Sequence, residues 1–304
     1  MHPARVRVAW AALLAPAVAG AHAGGDHAHP PRLAEAFSAD PLLLVPLALA
    51  AVAYAAGAAR LGRGLPAWRS AAFAGGMACL VLALVWPLDA YGEWSLAAHM
   101  AQHMVLMALA APLLLVGLPG AVMLAGLPAG AARRVAAPFR GPRVRRGWAL
   151  WTAPTAATLV QGAAMWAWHA PAAMERALHD EAVHYLMHAS FLVAGLLFWW
   201  ALLRSLRAGG AGYGAGLMAI VGTMVQMGLL SALLTFAPEP RYPFYFDRAP
   251  QLGLTALEDQ QLAGLIMWVP AAVPYLVGGV LLMLAWLRRL ERQERAASHD
   301  LHDA

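Results

Sequence analysis

Seven stretches of this chain are each apolar and long enough to cross a lipid bilayer, and they leave few options for the fold. They run Pro41–Ala59, Trp68–Pro87, Leu96–Leu118, Trp148–Trp168, Ala182–Leu203, Gly212–Ala237 and Leu262–Leu287. A hydrocarbon core about 30 Å thick needs about 20 consecutive apolar residues in a helix rising 1.5 Å per residue. No water reaches the backbone there, so only helices and closed barrels satisfy their own amides. The strand-like alternation of apolar and polar residues is missing, which removes the barrel. The expected fold class is an all-α membrane protein, a seven-transmembrane-helix bundle. With 61% hydrophobic and 12% charged residues, a soluble domain is excluded. Pro112 and Pro154 fall inside the third and fourth stretches and are expected to kink them, which membranes tolerate where neighbours satisfy the freed carbonyls.

The head of the chain reads as a secretory signal peptide over residues 1–23. Arg5 and Arg7 precede an apolar run from Val8 to Ala19, and Ala21-His22-Ala23 has the small-x-small form of a cleavage site. An extracytoplasmic tail, 24–40, then leads into the helical domain, 41–287, and a cytoplasmic tail, 288–304. The charges orient this domain. Fifteen arginines and four acids fall in the segments on one side, against four arginines and twelve acids on the other. Basic loops stay cytoplasmic, so the N-terminus is expected outside and the C-terminus inside. The arginines are thus topology signals, and the net charge of +5 does not mark a nucleic-acid binder. Membrane lipid is the expected surrounding.

Two histidine pairs then stand out, His99 with His103 and His184 with His188, each four residues apart. That spacing puts both rings of a pair on one helix face. Ionisable residues inside a span are costly and mark functional sites by default. Both pairs fall near the outer ends of their spans, as does His169 at the end of the fourth. Convergence at one depth is what a site in a bundle core requires. Neutral imidazole suits copper, zinc and iron. Asp259, at the start of the seventh span, can orient a ligand histidine through its second nitrogen, or equally cap a helix. Met267 lies two turns further on, and Met100, Met104 and Met107 accompany the first pair. Thioether beside imidazole favours Cu(I). The single cysteine, Cys79, lies mid-span, so neither a thiolate relay nor a disulfide is supported.

Plainer roles stand beside these. A lone interfacial histidine such as His179 is more often hydrogen-bonded structure, and His169 divides evenly between ligand and interfacial belt. Most methionines are packing. His22, His27 and His29 form a weak metal-capturing tract.

The motifs resemble a known family. His99-Met100-Ala101-Gln102-His103-Met104 with Ala111-Pro112-Leu113-Leu114, then Trp168-His169-Ala170-Pro171, His184-Tyr185-Leu186-Met187-His188, Phe198-Trp199-Trp200, Asp259-Gln260-Gln261-Leu262-Ala263-Gly264 and Met267-Trp268 are similar to signatures of the CtaG family of multi-pass cytochrome c oxidase assembly factors. The resemblance spans about Trp86 to Pro274. It implies a seven-span protein of the bacterial plasma membrane that serves maturation of a haem–copper oxidase, with the oxidase catalytic subunit or its assembly intermediates as partner. Copper handling is read from the residues themselves. Three functions compete on them: a non-enzymatic assembly factor holding copper at His99, His103, His184 and His188 with Asp259, Met267 and His169 in support; a haem-binding membrane cytochrome; and a copper transporter. The inner halves of the spans carry few polar groups, which favours a one-sided site over transport. No nucleophile with a partner base and no phosphate loop points to an enzyme.

Overall fold

The computed structural model describes residues 29–208 and 210–302, and among these every regular element is helical. The signal peptide at 1–23, and His22 and His27 with it, lie outside the described residues. In order, the helices are α1 (Pro41–Leu61), α2 (Ala67–Leu84), α3 (Leu88–Gly92), α4 (Leu96–Met104), α5 (Ala111–Val116), α6 (Pro119–Ala125), α7 (Ala129–Ala136), α8 (Pro142–Trp151), α9 (Pro154–Trp168), α10 (Pro171–His179), α11 (Glu181–Ala208), α12 (Ala211–Thr235) and α13 (Ala256–His302). Six segments are long and apolar enough to cross a membrane: Pro41–Gly64, Ala67–Gly92, Leu96–Val116, Glu181–Ala208, Gly212–Thr235 and Ala256–Arg295.

The stretch from Trp148 to Trp168 is the exception. It is broken at Thr152 and Ala153 into α8 and α9. A residue before proline is pushed out of the helical region, and Ala153 accordingly sits at φ −68°, ψ 138°. Pro154 therefore starts a helix where a kink was expected. The 15 residues of α9 rise about 22 Å.

At Pro112 the third span departs from a regular helix through a specific device. Between α4 and α5 the chain widens into a π-helical segment, Val105–Ala110. The Ala111 amide bonds Leu106 O, five residues back. In that register the partner of the Met107 carbonyl is residue 112, which as proline has no N–H. The indole of Trp199, on α11, supplies the missing donor at 2.9 Å. Close approach of α11 makes this possible. A Cβ at Gly195 would lie 3.0 Å from Met107 Cα and 3.2 Å from Ala111 Cβ, so the position needs glycine or a displaced neighbour.

One apolar core runs along α4, α9, α11, α12 and α13, with Met100, Met107, Phe191, Phe198, Met267 and Tyr275 fully buried. A smaller core joins α1 and α2 to the far face of the π segment. Helix α13 packs along α12 and crosses α4. The third span thus lies at the centre of the bundle. Replacing Trp199 by Phe should leave the Met107 carbonyl unpartnered and cost about 1–3 kcal/mol, seen as a lower thermal midpoint in detergent micelles.

Candidate metal centre

Helix α4 brings His99 and His103 into the bundle, and its start is held in an unusually complete way. Ser95 caps it, its hydroxyl accepting from the Ala98 amide at 3.1 Å. The same hydroxyl donates to Asp259 Oδ1 at 2.5 Å, while the Leu96 and Ala97 amides donate to Asp259 at 2.6 and 3.3 Å. The Ser95 amide bonds the Tyr91 carbonyl. All four free amides of the first turn are thereby satisfied. Asp259 caps a helix, as expected of one of its two roles, but the helix is α4 and not its own. The start of α13 is capped instead by Thr255 and Glu258, each bonding the other's backbone amide. The Asp259 carboxylate thus positions the histidine helix through its backbone, and among the described residues it makes no hydrogen bond to an imidazole.

Five histidines gather beneath that cap. The His99 ring centroid lies 4.5 Å from His103, 5.4 Å from His184 and 5.7 Å from His188. His103 lies 5.4 Å from His188 and 5.9 Å from His169, with the Phe191 ring 4.3 Å away. His184 and His188 are 4.3 Å apart on α11. His99, His103, His169 and His188 are buried, and His184 is partly so. His99, His103 and His188 each offer a ring nitrogen within 4.8 Å of the others, all three buried.

Hydrogen-bonding settles which nitrogen faces inward. Tyr245 donates to the Gly92 carbonyl at 2.8 Å and lies 3.3 Å from His99 Nδ1. Burial pushes its hydroxyl well above the usual phenol range, with the Asp259 charge adding to the effect, so it stays protonated. Its proton being given to Gly92, the tyrosine oxygen accepts from His99 Nδ1–H, and Nε2 carries the free lone pair. His169 is arranged likewise, with Nδ1 2.7 Å from the Met165 carbonyl and Nε2 2.9 Å from Met100 Sδ. Tyr242, whose hydroxyl is raised to about 12 by burial, donates to the His169 carbonyl at 2.8 Å. The loop between α12 and α13 thus fixes two of the histidine-bearing segments.

What remains is a set of buried nitrogens with no hydrogen-bond partner: Nε2 of His99, His103, His184 and His188, and Nδ1 of His103. Unpartnered buried polar atoms are rare and each costs about 1–3 kcal/mol. Four unpartnered Nε2 atoms in one cluster match the number and type of nitrogens that a copper or zinc ion takes, at about 2.0–2.1 Å from imidazole.

His179 takes the hydrogen-bonded role expected of it, and Met267 sits in the apolar core. His179 is exposed, bonded to the Glu175 carbonyl at 2.8 Å and away from the cluster. Met267 is fully buried in the main core with Met100, Met104 and Met187. Asp89 joins the site without having been singled out, and Gln102 and Tyr245, known from the sequence only as motif residues, join it with defined bonds. Asp89, His184 and His188 form a second group with ligand atoms within 4.8 Å. Gln102 Nε2 donates to Asp89 at 3.1 Å and to the Ala83 carbonyl at 2.7 Å. A glutamine at a buried helical position between the paired histidines was the available signal; for Asp89, in a short turn, there was only its charge.

Fold and cluster together define a multi-pass helical membrane protein with a buried histidine centre. The model of the cytochrome c oxidase caa3 assembly factor family (Caa3_CtaG) matches residues 52–289, and the chain belongs to that family. The match opens within α1 and takes in the first two apolar helices, which the sequence motifs left aside. No curated protein and no solved structure matches the chain.

Exchange of Asp259 for Ala is expected to free the Leu96 and Ala97 amides and cost about 1–3 kcal/mol. Hydrogen exchange at those two amides should accelerate while the amides of α12 keep their protection.

Proposed function

We propose that this family member holds copper at the histidine cluster and passes it to the catalytic subunit of a haem–copper oxidase or to an assembly intermediate. The observation that carries this is the set of four unpartnered Nε2 atoms converging from α4 and α11. Structural histidines in an apolar bundle are expected to be hydrogen-bonded; these four have no partner at Nε2. His99, His103 and His188 are the leading ligands, with His184 beside them. His169 and the Met100 thioether add a soft corner that favours Cu(I), and Met267 supports the same preference from the core. Asp259 and Tyr245 set the helix and the ring orientation. The role is that of a carrier and not of a catalyst.

The topology proposed with it is seven crossings, α9 being the short fourth, behind a cleaved signal peptide. The arginine-rich ends then face the cytoplasm and the cluster lies near the outer face of the plasma membrane, where copper arrives without crossing the bilayer.

Haem fits this geometry less well. A porphyrin held between His103 and His188 would need the space beside their axis, where the His99 ring lies at 4.5 and 5.7 Å from the two.

Purified protein is expected to bind copper near one per chain with no Soret band, and His103→Ala/His188→Ala to lose it. Metal analysis and an absorption spectrum decide this; a Soret band, or unchanged copper in the double variant, would overturn the assignment. Oxidase activity in cells carrying the double variant should fall together with the copper.

A further inference from the structure

Beside the histidine cluster lies a cavity of about 530 Å³, lined by the segment from His29 to Ser38 and by Asp89, Ala90, Glu93 and Trp94. Its tail wall is fastened. Trp86 donates to the Leu33 carbonyl at 2.7 Å, Tyr91 to the Pro31 carbonyl at 3.0 Å, and the Ser38 amide to Val85 O at 2.8 Å. The lining carries Glu35, Asp89 and Glu93 against Arg32, an acidic balance that concentrates cations.

Asp89 belongs to both features. It lines the cavity, and its carboxylate lies within 4.8 Å of a ring nitrogen of both His184 and His188. Among the described residues, Gln102 is the one side chain that donates a hydrogen bond to that carboxylate. His188 is shared with the group formed by His99 and His103, and the Nε2 atoms of His184 and His188 are buried without partners.

Given the metal-holding role proposed above, we propose that Asp89, His184 and His188 form a capture position, through which a cation loads from the tail-walled cavity into the His99–His103–His188 cluster. The ion keeps His188 throughout and exchanges Asp89 and His184 for His99 and His103, a passage of a few ångströms within two overlapping ligand sets. No change of oxidation state is involved. A carboxylate oxygen is a weak donor for soft Cu(I) and imidazole a better one, so the ion is drawn inward. The negative cavity supplies the capture, and the deeper cluster supplies the retention.

The test is anaerobic stopped-flow loading of full-length purified protein with Cu(I) from a chromophoric chelator, followed by metal analysis. Asp89→Asn keeps an acceptor for Gln102 and removes the charge. Ala90→Phe narrows the cavity and alters no ligand. Both are expected to load about tenfold or more slowly, the scale on which a focused negative field raises cation on-rates, and Ala90→Phe to reach the copper content of the wild type. His103→Ala is expected to fail to retain the ion. Wild-type loading rates in both Asp89→Asn and Ala90→Phe would overturn the capture position and leave the cluster as a metal holder. Should Asp89→Asn fail to fold, the rate of Ala90→Phe decides alone. A wild-type protein that takes up no Cu(I) would overturn the holder and the capture position together.

Discussion

Inside a membrane bundle a polar atom must find its partner within the protein, and most of this architecture follows from that requirement. The first turn of α4 exposes four amides in a buried place, and Asp259, reaching from α13, satisfies two of them directly and fixes the serine that satisfies a third. The bond network ties the third span to the last and holds the histidine helix at a defined height. Removing a carboxylate from such a setting leaves buried donors facing hydrocarbon, which is costlier than losing an exposed cap.

The same requirement explains the irregular middle of the third span. A proline at 112 removes one donor, the π turn removes another helical pairing, and Trp199 restores the balance at the Met107 carbonyl. π turns interrupt helices at functional sites because they re-aim side chains relative to a regular helix. Here the segment begins one residue after Met104 and allows Gly195 of α11 to approach closely, which brings His184 and His188 against His99 and His103. Arg69 Nε, Gln102 Oε1, Gln161 Oε1 and Thr223 Oγ1 are also unpartnered, each on a separate residue, whereas the histidine cluster gathers several such nitrogens in one place. Those nitrogens are the donors that a metal ion would use.

Long apolar runs, arginine asymmetry and paired histidines at one-turn spacing are local signals, and each was legible in the chain. So were the boundaries of α1, α11 and α12, which shift by only a few residues from the apolar stretches that announce them. The break in the fourth stretch was not legible, because hydropathy does not register that the proline after Ala153 pushes it out of helical geometry. Asp259 was legible as a polar residue of consequence. Its partner was not, since the amides it holds lie more than 160 residues earlier in the chain.

Residue pattern alone determined a helical membrane bundle, the histidine pairs at one-turn spacing, and the family motifs that carry them, because periodicity and transfer free energy act over one or two turns. Tertiary structure decided which nitrogens are free, since a tautomer depends on Tyr245 and Met165 as neighbours in space. It also brought in Asp89, a turn residue with no periodic signature, by folding α3 against the two histidine helices. Proximity between groups far apart in the chain is set by packing, and no local pattern encodes it.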